Sequence, residues 1–263
     1  VPGQVMWAIA GGGTLLLLLL PLLPPMRRQA VASVDLDNCN GCGRCVDDCP
    51  FSAVSLEPRS DDAAFSHEAV VSESLCTSCG ICVGACPTAT PFRRTSELVP
   101  GIDLPDQRIR ELREQTLAAT ASLNGDARVI VYGCGHGPAL SSLSGPDVAV
   151  IGLPCVAMLP PSFIDFVITR NHVDGVFLAG CAAGNCHYRL GIDWTGQRLA
   201  GERDPYLRKR VPRERVAESW TGISRKRQLR EDLRAFRDRL GKLPPYRRSS
   251  RVSAERRAGE AAT

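Results

Sequence analysis

The spacing of apolar residues changes character several times along this chain. Val5–Leu23 is one apolar run, interrupted by Thr14, Pro21 and three glycines, and no charged residue precedes Arg27. A run of about 20 such residues can cross a bilayer as a helix, so this stretch predicts an N-terminal transmembrane helix. The apolar stretches then shorten. Val31–Leu36, Ala53–Leu56 and Ala69–Val71 read as short strands, with the polar, acidic connection Glu57–Glu68 between two of them. His67 in that connection reads as an exposed residue. Beyond Pro100, Gly101 and Pro105, the segment Asp106–Leu123 places Ile109, Leu112 and Leu117 on one side of an amphipathic helix, which Asn124-Gly125 ends.

From Arg128 onward short apolar runs alternate with helical segments. Val129–Tyr132, Val148–Leu153 and Gly175–Ala179 read as buried parallel strands, with Pro138–Leu143 and Ser162–Asn171 as intervening helices. Arg215–Trp220 reads as a fourth strand. Lys226–Leu240 reads as a closing helix with Leu229, Leu233, Phe236 and Leu240 facing inward. This alternation predicts a doubly wound α/β domain of flavodoxin-like character. After Pro244-Pro245 the periodicity stops, and an Arg-rich tail with Arg247, Arg248, Arg251, Arg256 and Arg257 reads as disordered.

Charge follows the same division. Residues 201–263 carry 19 Lys and Arg against 9 Asp and Glu, whereas residues 1–200 carry 13 against 19. The basic end suits solvent, an acidic partner or lipid headgroups. In the tail after Pro244-Pro245 aromatic stacking residues are absent apart from Tyr246, so no nucleic acid is expected. Arg27 and Arg28 directly after the apolar run place the rest of the chain in the cytoplasm by the positive-inside tendency, which makes the expected protein membrane-anchored through residues 5–23. Pro2–Pro25 also resembles, weakly, the last membrane helix of a cytochrome b-type subunit.

Twelve cysteines fall into three sets of four. Cys39, Cys42, Cys45 and Cys49 precede Pro50, and Cys76, Cys79, Cys82 and Cys86 precede Pro87, so one pattern occurs twice in register. Zinc sites use pairs set far apart, and a disulfide framework belongs to small secreted chains. The spacing C-x2-C-x2-C-x3-C-P resembles bacterial two-cluster ferredoxins, in which the fourth cysteine of each run ligates the other cluster. The resemblance implies two [4Fe–4S] clusters, cluster I on Cys39, Cys42, Cys45 and Cys86, and cluster II on Cys76, Cys79, Cys82 and Cys49. The expected fold is an α+β ferredoxin-like two-cluster domain followed by the α/β flavodoxin-like domain, with the N-terminal transmembrane helix ahead of both. The expected divisions are an anchor over 1–28, the ferredoxin domain over 29–95, a linker helix over 96–125, the α/β domain over 126–243 and the tail over 244–263.

The third set is Cys134, Cys155, Cys181 and Cys186. Three of them follow predicted strands, and in open α/β sheets ligands gather outside the carboxyl ends of strands. Four thiolates there could hold [2Fe–2S], zinc or another iron–sulfur centre. They could equally be inert buried cysteines, or include a redox-active thiol pair at Cys181 and Cys186. A neighbouring electron-carrying module favours a redox cluster. Gly152-Leu153-Pro154-Cys155, Asp174–Cys181 and Asn185-Cys186-His187-Tyr188-Arg189 look like the iron–sulfur (delta) subunit of methyl-viologen-reducing hydrogenase over about Ala127 to Leu240. That resemblance implies one [2Fe–2S] cluster and electron passage to a heterodisulfide reductase A-type flavoprotein. The family usually has a C-x2-C pair after its first strand, whereas here Cys134 stands alone and position 137 is Gly. His136 and His187 are alternative ligands in principle, read here as hydrogen-bonding residues.

No catalytic residue stands out, and Gly133–Gly137 lacks the spacing of a dinucleotide loop. The expected function is an iron–sulfur electron-transfer component of a membrane-associated oxidoreductase complex. Its expected partners are a heterodisulfide reductase A-like flavoprotein, a hydrogenase or dehydrogenase, or a cytochrome b subunit. The competing readings are an oxidoreductase component using a Cys181/Cys186 thiol pair fed by the two clusters, and a zinc-bearing structural module.

Overall fold

The central strands form where apolar residues fill both faces of the chain, as burial of a parallel sheet on two sides requires. The computed structural model describes residues 3–19, 30–61, 64–93 and 98–246. In chain order the elements are α1 (Gly3–Leu19), β1 (Ser33–Val34), α2 (Arg44–Asp47), β2 (Val54–Pro58), β3 (His67–Val71), α3 (Ile81–Ala85), β4 (Ile102–Asp103) and α4 (Ile109–Ala121). They continue with β5 (Val129–Cys134), β6 (Val148–Leu153), α5 (Pro161–Thr169), β7 (Gly175–Gly180), α6 (Gly191–Ala200), β8 (Val216–Trp220) and α7 (Lys226–Leu240).

The larger sheet has the order β6-β5-β7-β8, and every neighbouring pair is parallel. Side chains alternate across it. On β5, Ile130 and Tyr132 face the core shared with α4 and α5, while Val129 and Val131 face Leu229, Leu233 and Phe236 of α7. The Tyr132 hydroxyl, too deep for water, is satisfied 2.9 Å from Thr116 Oγ1 on α4. The expected strands and the closing helix are therefore present, within a residue or two at their ends.

Two expectations about this half change. Pro138–Leu143 is not a helix but a run of turns. Gly137-Pro138 and Gly145-Pro146 break any helical register, and Leu140 and Leu143 pack singly on the α7 side of the sheet. That side is where a right-handed crossover leading to β6 must run. Conversely, the pattern predicts no helix where α6 forms, because glycines and polar residues hide its apolar face of Ile192, Trp194 and Leu199.

The cysteine-rich half is built from two short antiparallel pairs, β1 with β4 and β2 with β3, and the single-turn helices α2 and α3. His67 is exposed, as expected, while Glu68 beside it is buried and accepts from Ser60 N at 3.0 Å.

The expected transmembrane helix is corrected. Among the described residues no helix is long and apolar enough to cross a membrane. The helix within that run, α1, has 17 residues, and at about 1.5 Å per residue it falls short of the roughly 30 Å of a hydrocarbon core. Membrane anchoring through residues 5–23, and the localisation built on it, lose their support with it. The remainder of that segment, residues 20–28, lies outside the described residues, as does the Arg-rich stretch from 247 onward. The first residues of the expected tail are packed: Arg215 donates to Pro244 O, and Tyr246 lies under the Arg215 guanidinium.

The Asp103 carboxylate accepts from Leu104 N at 2.9 Å and from Ile109 N at 3.1 Å, which satisfies the first amide of α4. Burial pushes its pKa up from 3.8 to about 6, against those two bonds. A carboxyl raised in the folded state binds its proton more tightly there than in the unfolded chain. Its contribution to stability is therefore full below 3.8 and lost as pH rises through about 6. Asp103→Asn is expected to flatten that part of the stability–pH curve, measured by urea unfolding across the same window.

Candidate functional site

The repeated cysteine pattern folds into two loops that each end in a short helix, α2 or α3, so that the last cysteine of each run leaves its own loop. Cys39, Cys42, Cys45 and Cys86 line one small cavity. Cys49, Cys76, Cys79 and Cys82 line a second. The two fourth cysteines thus exchange sides. Burial, and next the charge of Cys86 ahead of those of Cys42 and Cys39, pushes the Cys45 thiol up to about 12. Burial likewise lifts Cys79 to about 11, with Cys49 and Cys76 contributing. Both exchanged sulfurs have polar partners. Ala53 N donates to Cys49 Sγ at 3.1 Å, and Thr88 Oγ1 stands 3.1 Å from Cys86 Sγ. Cys42 is exposed, whereas Cys39, Cys45, Cys79 and Cys82 are buried.

The third set also converges. The order β6-β5-β7 puts the carboxyl ends of β5 and β7 side by side, where strand order reverses. Cys134 Sγ and Cys181 Sγ are 3.6 Å apart there, and Cys181 Sγ is 3.8 Å from His136 O. A bond to Cys155 holds the Cys134 thiol up at about 11, and a bond to Cys181 raises Cys186. Gly191, at the start of α6, closes the group. A Cβ at that position would collide with Cys155 Sγ and lie 3.5 Å from Cys186 Sγ. Among the described residues no three His, Cys, Asp or Glu side chains are grouped to hold one metal ion. Cys134 contacts both Cys155 and Cys181, and Cys181 contacts Cys186, so the four sulfurs form one continuous chain of contacts.

His136 and His187 stack over this group with ring centroids 3.5 Å apart, and His136 Nε2 is 3.3 Å from the Tyr188 hydroxyl. Burial, with the neighbouring His187, lowers the His136 pKa. His136 thus makes the kind of polar contact expected of it, while His187 contributes a ring face.

What the sequence did not show is how the two halves meet. Cys79, Ile81, Cys155, Ala157, Tyr188 and Trp194 form one buried apolar cluster, with Phe51 against it. Tyr188 is 6% exposed and stands edge-on to Phe51 at 6.4 Å. Burial raises its hydroxyl to about 12, assisted by the nearby Cys79 and Cys155. Arg189 fastens the same loop by donating to Pro50 O at 2.9 Å while its guanidinium lies 4.9 Å from the Phe51 ring. Tyr188 and Arg189 stood in the Cys186–Arg189 string, but nothing in that string names Phe51 as their partner.

Two sulfur-lined cavities joined by a dry seam to a third group of thiols define an iron–sulfur electron-transfer protein. The family model of the 4Fe-4S dicluster domain matches residues 38–90, and that of the methyl-viologen-reducing hydrogenase delta subunit matches residues 136–244. An iron-sulfur subunit of the F420-non-reducing hydrogenase of Archaeoglobus profundus is 30% identical over 102 residues, 39% of this chain and 74% of that protein. The vhc iron-sulfur subunit of the same kind of hydrogenase in Methanococcus voltae is 27% identical over 100 residues, 38% of this chain and 69% of that protein. A probable ferredoxin of Methanosarcina thermophila is 62% identical over 26 residues, 10% of this chain and 45% of that protein. The chain belongs to the family of hydrogenase iron–sulfur delta subunits, and it carries a 4Fe-4S dicluster domain ahead of the family's own region. The delta-subunit match begins at residue 136, just after Cys134.

Gly191→Ala is expected to drive Cys155 and Cys186 apart while leaving the two ferredoxin-type cavities intact. Thiol labelling of the unfolded and folded apo-protein checks this: Cys155 should become more reactive in the folded variant, and Cys79 should not.

Proposed function

We propose that this chain is a three-centre electron relay within a hydrogenase-type complex. Cluster I is held by Cys39, Cys42, Cys45 and Cys86, and cluster II by Cys49, Cys76, Cys79 and Cys82. A [2Fe–2S] cluster is held by Cys134, Cys155, Cys181 and Cys186. The observation that carries the reading is the shared burial of Cys79 and Cys155 in one apolar cluster with Tyr188, which brings the second cubane site and the third site together.

Bound at these cysteines, the clusters would supply one-electron carriers whose potentials respond to burial and to hydrogen bonds at sulfur. The chain's own residues provide that setting. Ile81, Ala157 and Trp194 keep water from the seam, and the Ala53 N–H and Thr88 hydroxyl meet the exchanged sulfurs. The outer ends of the relay are exposed Cys42 and half-buried Cys186 beneath exposed His187. A heterodisulfide reductase A-like flavoprotein and a hydrogenase or dehydrogenase are the partners proposed for those two ends.

Anaerobically purified protein is expected to contain about ten iron and ten sulfide per chain, with three paramagnetic centres on reduction. Cys155→Ser should remove one of the three and leave two. About eight iron in the parent protein, with every signal unchanged in Cys155→Ser, would refute the third centre.

A further inference from the structure

Arg198 on α6 is 1% exposed, an unusual place for a permanent positive charge. Its guanidinium donates to Asp48 Oδ2 and, at 2.8 Å, to Ala157 O. Its Nε is buried and has no hydrogen-bond partner among the described residues. Asp48 is itself 3% exposed. It takes a second cation, Arg203, whose Nε donates to Asp48 Oδ1 at 2.8 Å and whose guanidinium lies 4.2 Å from the Trp194 ring. Two guanidinium groups against one carboxylate leave a surplus positive charge in the seam.

The surplus has definite neighbours. Asp48 directly precedes Cys49 and lines the cavity of Cys49, Cys76, Cys79 and Cys82. Ala157, which Arg198 holds, shares the buried cluster of Cys79 and Cys155. Arg198 Nη1 also lies where a Cβ on Gly84 would stand, against the helix that carries Cys82. Burial lowers the Arg198 pKa, and the charges of Asp48 and Cys155 act in the opposite direction. At the cavity of Cys39, Cys42, Cys45 and Cys86 the cations are held away from the sulfurs by other partners: Arg59 donates to Cys39 O at 2.7 Å and is paired with Asp61, and Arg93 donates to Asn38 Oδ1 at 2.9 Å.

We propose that Arg198 is a positioning residue that sets the reduction potentials of the two centres flanking the seam, drawing electrons toward it. The proposal rests on the relay reading above. A fixed positive charge in a dry seam favours the state with one more electron at each adjacent centre, so it raises their potentials. The centre in the far cavity, with Cys42 at the surface, feels it less. The rival is a purely mechanical role, in which the Asp48–Arg198 pair only clips the two halves together. The two roles differ in sign. Removing the cation or removing the anion loosens a clip alike, but the two changes move a potential in opposite directions.

The test uses the full chain, purified anaerobically, with Arg198→Gln, Arg198→Lys and Asp48→Asn. Iron content is measured first, and each paramagnetic centre is then followed by EPR through a redox titration. Cys42→Ser identifies the signal of the far cubane. Arg198→Gln is expected to shift the near cubane and the third centre to more negative potential, and Asp48→Asn to shift them to more positive potential. Arg198→Lys should stay near the parent value, and the far cubane should move less in every variant. Shifts of the same sign in Arg198→Gln and Asp48→Asn, or unchanged potentials at full iron content, would overturn the proposal. If Arg198→Gln fails to retain iron, the sign of the Asp48→Asn shift against Arg198→Lys decides. A parent protein lacking the third signal would defeat that part of the relay, while the near cubane would still decide the role of Arg198.

Discussion

Everything distinctive about this molecule depends on how closely α3 can approach the turn at Val156–Met158. Gly84 makes the approach, because a Cβ there would collide with the Ala157 carbonyl. With no side chain between them, the helix that follows Cys79 lies directly on the backbone that follows Cys155. Close packing then excludes water from the intervening space, as protein interiors generally do. In that dry layer every charge acts more strongly than at the surface, including the Asp48–Arg198 pair. A buried ion pair is weak evidence for stability, since desolvation offsets much of its attraction.

The two halves handle their cysteines by different physical means. In the ferredoxin-type half, sequence spacing places three sulfurs on one short loop, and local turns alone decide their arrangement. In the α/β half no two of the first three sulfurs are near in sequence. They meet because three strands are parallel and start in register, so their carboxyl ends finish together. The reversal of strand order at β5 opens the crevice in which Cys134 and Cys181 touch. Gly191 then lets α6 bring its amino end against the other two.

Chain order also explains which parts of the seam could be read in advance. The continuous apolar runs of β5 and β7 and the apolar stripe of α7 are properties of short windows, and they appear in the structure nearly as the pattern reads. A helix over Pro138–Leu143 does not form, because glycine and proline at both ends outweigh two leucines that suit a helix or a packed turn equally well. The apolar run at the start of the chain shows the opposite limit. Hydropathy marks it as a spanning segment, yet hydropathy does not fix how many of its residues join one helix, and α1 takes in only 17.

The residues by themselves determined the two short cysteine-rich loops, the four parallel strands and the family likeness carried by Cys155, Cys181 and Cys186. Each of these follows from spacing within a short stretch, where local geometry leaves little choice. The tertiary structure alone decided that Tyr188 and Cys79 share a buried cluster with Cys155, and that Asp48 meets Arg198 across 150 residues. Such pairings come from the packing of separate elements, and no periodicity along the chain encodes which distant partner a buried charge will find.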